Sequence, residues 1–112
     1  MELSTTRHGD MIIVNVMAAR IDAAAAIAFK DAMREAVADG PAHVVLDLGN
    51  VTFVDSSGLG AIVSAMKTMG DGRRLDLAAL TPDVAKVFRL TRMDTVFVIH
   101  DAIDGLATHA TG

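Results

Sequence analysis

A carboxylate and two hydroxyl groups follow one another at Asp55, Ser56 and Ser57, and Gly58 and Gly60 come next. The apolar residues that follow have the spacing of one helix face: Leu59, Ile62, Val63, Met66 and Met69. The three polar residues therefore stand where a connection becomes a helix, and each residue type can cap the first free N–H groups. The stretch predicts that two hydroxyls and a carboxylate are all exposed at the positive end of a helix dipole.

The two glycines in the first turn of this predicted helix need a physical reason. Glycine costs about 1 kcal/mol relative to alanine inside a helix. Either close packing or a partner that must come near would require bare backbone at Gly58 and Gly60. Without such a requirement, the stretch would be only a capped helix start with small residues packed beneath it.

The stretch from Leu46 to Gly60 reads Leu-Asp-Leu-Gly-Asn-Val-Thr-Phe-Val-Asp-Ser-Ser-Gly-Leu-Gly. It resembles the signature of STAS-domain proteins, the bacterial anti-sigma factor antagonists. In that family an apolar strand with Asp is followed by a short turn, an apolar pair and Asp-Ser-Ser/Thr-Gly-Leu-Gly. The length and order of elements extend the resemblance over nearly the whole chain, although Ala19 and Arg92 stand where many members have glycine.

The resemblance implies a binding protein that acts as a switch. The unphosphorylated protein would bind an anti-sigma factor that is a serine kinase, and so release a sigma factor. Phosphorylation at Ser56 would end this binding, and a PP2C-type serine phosphatase would restore it. Asp55 would orient the Ser56 hydroxyl toward the kinase, and the glycines would leave room for the partner's backbone. The expected partner-binding residues are Asp55, Ser57, Gly58, Leu59 and Gly60.

Two other functions stay open from the sequence. The chain could instead be a STAS scaffold subunit of a stressosome or of a lipid-transport complex. This function would have the same fold but belong to a different pathway. The absence of a sensor domain in 112 residues disfavours a stressosome sensor subunit but not its small scaffold relatives. A small anion- or nucleotide-binding domain would use the helix start after Ser57 as its anion site. The lack of lysine and arginine in the motif disfavours this last function.

Metal sites, hydrolase nucleophiles and phosphate-binding loops each require a residue spacing that this chain lacks. The four histidines are dispersed without metal-ligand spacing, so we expect solvated or hydrogen-bonded side chains and no metal site. A nucleophile elbow requires glycine two positions before the serine, where Val54 stands. A Walker phosphate loop requires a lysine that the motif does not contain. We expect no catalysis and no cofactor.

The composition narrows the function classes further. The chain has 112 residues, which suits a single domain spanning 1–112. Its net charge of −4 disfavours direct nucleic-acid binding, which usually requires a basic excess. No apolar run reaches the roughly 18 residues of a membrane span, and the first residues lack the layout of a signal peptide. We therefore expect a cytoplasmic protein, monomeric in isolation, with no membrane contact.

The hydrophobic pattern predicts strands alternating with helices. Strands are expected at about 2–7, 11–16, 42–48, 73–80 and 95–99. Helices are expected at about 23–38 and 57–69, and two more begin after Thr81 and after Asp101. Asp22, Thr81 and Asp101 are the expected caps of three of these helices. Ile103, Leu106, Ala107 and Ala110 would form the apolar stripe of the last helix. The order predicts an α/β domain with a small mixed, mostly parallel sheet of four to five strands and about four helices, as in STAS domains.

Overall fold

The computed structural model of the protein describes residues 1–103, in which strands and helices alternate. The strands are β1 (Leu3–His8), β2 (Met11–Val16), β3 (Arg20–Ile21), β4 (His43–Asp47), β5 (Phe53–Val54), β6 (Arg74–Ala78) and β7 (Ile99–His100). The helices are α1 (Ala26–Val37), α2 (Ser56–Thr68) and α3 (Pro82–Leu90), and a short 3-10 helix covers Met93–Thr95. Most of the helix predicted after Asp101, including Leu106, Ala107 and Ala110, lies outside the described residues.

The main sheet has five strands in the order β1-β2-β4-β6-β7. β1 and β2 form an antiparallel hairpin, and the other neighbours are parallel. Parallel strands that follow one another in chain order, joined by right-handed crossovers, place their connecting helices on one face of the sheet. The predicted mixed, mostly parallel sheet is confirmed, and the described residues contain three α-helices where about four were predicted.

One large apolar core lies between that face and the helices. The sheet contributes alternate residues, such as Ile12, Val14 and Val16 of β2, because side chains alternate between the faces of a strand. The predicted inner face of α1 is confirmed, since its buried residues are Phe29, Met33 and Val37. The other helices bury Ala61, Ile62, Ala65, Val84 and Phe88 in the same core. None of the helices within residues 1–103 combines the length and apolar character that a membrane span needs.

A second, two-stranded parallel sheet joins β3 to β5 and was not predicted. It pairs Arg20 with Phe53 and Ile21 with Val54. Strands of two residues are too short to show an alternating pattern, so the sequence gives no periodic signal for them. This small sheet matters for the site because β5 ends one residue before Asp55.

Two predicted elements begin several residues later in the structure than the sequence indicated. The first helix begins at Ala26 instead of Ala23, because the Asp22 carboxylate accepts a hydrogen bond from the Ala25 N–H at 3.1 Å and closes a turn before the helix. The last strand begins at Ile99 instead of Thr95, because a 3-10 helix occupies Met93–Thr95. Arg92, which stands where many family members have glycine, takes a left-handed conformation with φ of 64° before that helix.

Asp76 is the one buried polar or charged side chain within residues 1–103, with 1% of its surface exposed. Its Oδ1 accepts a hydrogen bond from Arg74 Nε at 2.9 Å, and its Oδ2 accepts one from Arg74 Nη2 at 2.8 Å. The same Oδ2 lies 2.9 Å from Nε2 of both His43 and His100, and because an ionised carboxylate only accepts, each ring must donate. The cluster ties together β4, β6 and β7, and the two histidines are hydrogen-bonded as predicted.

The hydrogen bonds of this cluster decide the ionisation of Asp76. Burial alone would raise the pKa of the carboxyl group, but the hydrogen bonds from Arg74, His100 and His43 lower the pKa from 3.8 to about 2. The charged form is therefore preferred in the folded protein more strongly than in the unfolded chain. The cluster stabilises the fold at every pH at which Asp76 is ionised in both states.

This pKa predicts a loss of stability in acid. The contribution of Asp76 is complete above pH 3.8, the value of the unfolded chain, and is lost as the pH falls through about 2. We expect the free energy of unfolding to decrease by about 1–2 kcal/mol over this range because of Asp76 alone. Urea unfolding at a series of pH values would measure it. Asp76→Asn should remove this part of the pH dependence, while Asp71→Asn, in an exposed turn, should leave it unchanged. Superimposable pH profiles for wild type and Asp76→Asn would contradict the assignment.

Candidate functional site

The carboxylate of Asp55 caps α2, as the sequence allowed. Asp55 has an extended backbone with φ of −97° and ψ of −174°, and its Oδ1 accepts a hydrogen bond from the Gly58 N–H at 2.8 Å. Its carbonyl oxygen accepts the first backbone bond of the helix, from the Leu59 N–H at 2.9 Å. The helix therefore begins at Ser56, one residue before the predicted start. Of the three polar residues that could cap the helix, Asp55 is the one that does so.

The second carboxylate oxygen of Asp55 reaches across to another element. Asp55 Oδ2 accepts a hydrogen bond from the N–H of Ala23, in the turn after β3, at 3.1 Å. Both oxygens thus bind backbone N–H groups, and no hydrogen bond joins Asp55 to Ser56 within residues 1–103. In this structure the carboxylate therefore has a structural role, and its orienting of the Ser56 hydroxyl toward a kinase stays a prediction. Asp55 holds the helix start against the turn after β3.

Ser56 and Ser57 occupy the first two positions of α2, and both are exposed. The backbone N–H groups of a first helical turn have no partner within the helix, and the helix dipole makes this end electropositive. An added negative charge on either hydroxyl would therefore be favoured locally. The prediction of exposed hydroxyls at a helix start is confirmed, but the Asp55 carboxylate, also expected to be exposed, is half-buried because it binds two backbone N–H groups.

Gly58 and Gly60 differ in what surrounds them. A Cβ atom at position 58 would lie 1.8 Å from the carbonyl oxygen and 2.7 Å from the carbonyl carbon of Ile21 in β3. Gly58 is buried, so the bare backbone there serves close packing within the protein and does not leave room for a partner's backbone. A Cβ atom at position 60 would meet nothing within 4 Å, and Gly60 is exposed. Only Gly60 has the open surroundings that a partner could use.

The other expected contact residues vary in exposure. Ser57 is exposed, whereas Leu59 is half-buried and packs against the main core. Asp55 is also half-buried, with its carboxylate engaged as described above. Ser56, Ser57 and Gly60 are therefore the freely accessible members of the predicted site.

The small sheet adds residues to this surface that the sequence did not reveal. Phe53 in β5 is 39% exposed, and the guanidinium carbon of Arg20 lies 4.1 Å from the centre of its ring. Arg20 Nε also donates a hydrogen bond to Asp22 at 3.2 Å, which lowers the pKa of Asp22. Met17, just before β3, is another exposed large apolar residue. Phe53 lay within the recognised motif, but nothing in the sequence placed Arg20 beside it.

The described residues contain no group of three or more His, Cys, Asp or Glu side chains arranged to hold a metal ion. The polar groups at the start of α2 are one carboxylate, already bonded to two backbone N–H groups, and two exposed hydroxyls. Chemically, this arrangement offers exposed hydroxyls at an electropositive helix end.

Comparisons with known proteins agree on one domain family. The sequence profile of the STAS domain matches residues 2–106. A STAS-domain containing protein of Pseudomonas aeruginosa is 35% identical over 81 residues, which are 71% of this chain and 79% of that protein. The anti-sigma-F factor antagonist RsfB of Mycobacterium tuberculosis is 27% identical over 103 residues, with 88% of this chain and 84% of RsfB covered.

A solved structure is similar over almost its whole length. The crystal structure of an anti-sigma factor antagonist from Mycobacterium paratuberculosis superimposes with a TM-score of 0.83 at 26% identity. The superposition covers 99% of this chain and 94% of that one. The fold of this chain is therefore similar to that of a solved anti-sigma factor antagonist.

The different surroundings of the two glycines predict opposite effects of alanine. Gly58→Ala should lower the free energy of unfolding by about 1–3 kcal/mol or more, because the new methyl group collides with backbone that must shift. Gly60→Ala should raise it by about 0.5–1 kcal/mol, because alanine favours the helix and meets no obstacle. Thermal and urea unfolding of the two variants provide the comparison. Equal changes in the free energy of unfolding would show that the contact with Ile21 does not exclude a side chain at position 58.

Proposed function

Since the chain belongs to the STAS domain family, we propose that it acts as an anti-sigma factor antagonist whose binding to a serine-kinase anti-sigma factor is switched by phosphorylation of Ser56. The observation that carries this proposal is the exposed hydroxyl of Ser56 at the first position of a helix that Asp55 caps. The names of the mycobacterial relatives, both anti-sigma factor antagonists, support the class of partner.

The proposed switch separates folding from binding. A phosphate on Ser56 adds about −1.5 to −2 charges. At the start of α2 this charge meets free N–H groups and the positive end of the helix dipole, so the fold tolerates it. The Asp55 carboxylate is held by the N–H groups of Gly58 and Ala23 and does not depend on Ser56. Phosphorylation should therefore leave the structure nearly unchanged.

Binding would respond differently to the same charge. A partner docked over Ser56 would remove the phosphate from water, and a buried charge without a counter-ion is costly. The proposed contact surface combines the motif residues Asp55, Ser57, Leu59 and Gly60 with the exposed apolar side chains of Met17 and Phe53. Gly58 supports this surface from below by letting β3 approach the helix.

In this proposal the protein is a stoichiometric binding partner without catalysis of its own. The kinase activity belongs to the anti-sigma factor, and a PP2C-type serine phosphatase removes the phosphate from Ser56. Because neither step requires the chain to supply a base or a metal, the exposed hydroxyl is sufficient.

Alanine at each serine tests which hydroxyl is modified. Ser56→Ala should remain folded within about 0.5 kcal/mol of wild type, because Asp55 provides the cap. It should bind the kinase but accept no phosphate, while Ser57→Ala should be phosphorylated normally. Intact-protein mass spectrometry after incubation with the cognate anti-sigma kinase and ATP measures the modification. Phosphorylation of Ser56→Ala together with loss of phosphorylation in Ser57→Ala would move the site by one residue.

Aspartate at each serine tests the switch itself. Both variants place a charge where the helix dipole favours it by about 0.3–1 kcal/mol, so both should fold. Ser56→Asp should weaken kinase binding by about 2–5 kcal/mol, because the charge is buried in the complex without a counter-ion. Ser57 lies about 100° further around the helix axis, so Ser57→Asp should cost less. Calorimetric titration with the kinase measures both affinities. Equal losses would mean that Ser56 has no special position in the interface.

A further inference from the structure

The strand β1 is an outer edge of the main sheet. It pairs with β2 on one side, and within the described residues no strand pairs with its other side. Its register with β2 runs without a bulge from Leu3 to His8, the strand contains no proline, and Arg7 is its one arginine, lysine or acidic residue. Bulges, proline and charged side chains commonly protect edge strands, since an open edge pairs readily with another strand, and of these features β1 has only Arg7. The side chains of residues 4–7 are exposed, so this edge is accessible.

The register shows which backbone groups of β1 are free. The Met17 N–H donates to the Glu2 carbonyl oxygen at 3.1 Å, and this pair continues the register of the hairpin. In an antiparallel pair, only every second residue bonds to the partner strand. The even-numbered residues of β1 therefore bond to β2. The N–H and C=O groups of Leu3, Thr5 and Arg7 point outward.

We propose that the protein forms a two-fold symmetric dimer in which β1 pairs antiparallel with β1 of a second copy. In one register, all the outward N–H and C=O groups of Leu3, Thr5 and Arg7 form hydrogen bonds with the second copy. This register places Thr5 opposite Thr5 of the second copy. The same register sets Leu3 opposite Arg7 of the second copy. The sheets of the two copies would then be continuous, and the β-branched threonines at the centre favour such pairing.

Charge complementarity supports this register. Leu3, Thr5 and Arg7 pair with Val16, Val14 and Ile12, whose side chains face the helices, so these β1 side chains lie on the same face. Beside them a groove between β1 and α1 is lined by Met1, Leu3, Thr5, Ala32, Glu35 and Ala36. The long side chain of Arg7 from the second copy would enter this groove beside Leu3 and lie near Glu35. Within residues 1–103 neither Arg7 nor Glu35 has an ion-pair partner.

The proposed dimer is independent of the switch. β2 separates β1 from β4, and Ser56 lies at the start of the helix that connects β4 to β6. Pairing at β1 would leave both copies of the Ser56 site accessible. The dimer can therefore be tested whether or not Ser56 is phosphorylated.

Single cysteines test the register, because the chain has no cysteine of its own. Cysteine in place of Thr5 would face itself across the two-fold axis at a Cα separation of about 5.5 Å, which suits a disulfide. Ser4→Cys and Thr6→Cys are matched controls, because each faces the other position of the second copy. We expect rapid oxidative cross-linking of Thr5→Cys alone, slow cross-linking of either control alone, and rapid cross-linking when the two controls are mixed.

Proline tests the backbone pairing. Thr5→Pro removes an outward N–H and leaves the bonds to β2 intact, whereas Thr6→Pro removes an N–H that β2 uses and should destabilise the fold. In sedimentation equilibrium, the wild-type mass should rise with concentration from 11.7 kDa toward twice that value, and the mass of Thr5→Pro should stay at 11.7 kDa. Arg7→Glu should also weaken the dimer, and adding Glu35→Arg should restore it. This charge exchange provides a test even if Thr5→Pro does not fold.

Three results would overturn the proposal. One is a wild-type protein that stays monomeric up to millimolar concentration. Pairing of the β1 edge with a different protein would not rescue the proposal in that case. Another is a dimer that persists in folded Thr5→Pro or is indifferent to Arg7→Glu, since it would use another surface. The third is equal cross-linking rates for cysteine at positions 4, 5 and 6, which would indicate contact without a defined register.

Discussion

The site depends on the close approach of the first turn of α2 to the carbonyl group of Ile21. This approach is possible because residue 58 has no side chain, since a Cβ atom there would lie 1.8 Å from the Ile21 oxygen. Asp55 strengthens the same junction by accepting hydrogen bonds from Gly58 in the helix and from Ala23 after β3. The start of α2 is thus held to the segment that forms the small second sheet, and the position of Ser56 follows from it.

This junction divides the motif into structural and accessible residues. Asp55 and Gly58 hold the helix start, and Ser56, Ser57 and Gly60 remain exposed around it. A modification of Ser56 would therefore change the charge of the surface without breaking a contact on which the fold depends. A switch built this way needs no conformational change, because the phosphate acts directly on the partner's binding energy.

The cluster around Asp76 is centred on a buried carboxylate, in contrast to the exposed start of α2. Asp76 is buried, and its charge is balanced by Arg74 and hydrogen-bonded by His43 and His100, which ties three strands together. Removing one member would leave a buried polar group without its partner, which is costly. Both carboxylates accept hydrogen bonds at each oxygen, but Asp55 is half-buried at the start of α2 whereas Asp76 is buried and joins strands of the sheet.

Several features of the fold could be predicted from local sequence patterns. The β-branched run of β2, the inner face of α1 and the capped helix start at Asp55 each depend on residues that are close in the chain. The alternation of strand and helix patterns along the chain predicted the mixed sheet. These patterns were sufficient to place Ser56 at an exposed helix start. The resemblance in the motif added the proposed modification and the class of partner.

Contacts between residues that are distant in the chain could not be predicted and became visible only in the folded domain. The pairing of Arg20 with Phe53, the contact of Gly58 with Ile21 and the cluster of His43, Asp76 and His100 join residues on different elements. Strands of two residues have no period, and a lone Asp between Leu75 and Leu77 shows only that it faces away from the main core. Which side chains meet there depends on the order and register of the strands, and these are set by the packing of the whole sheet.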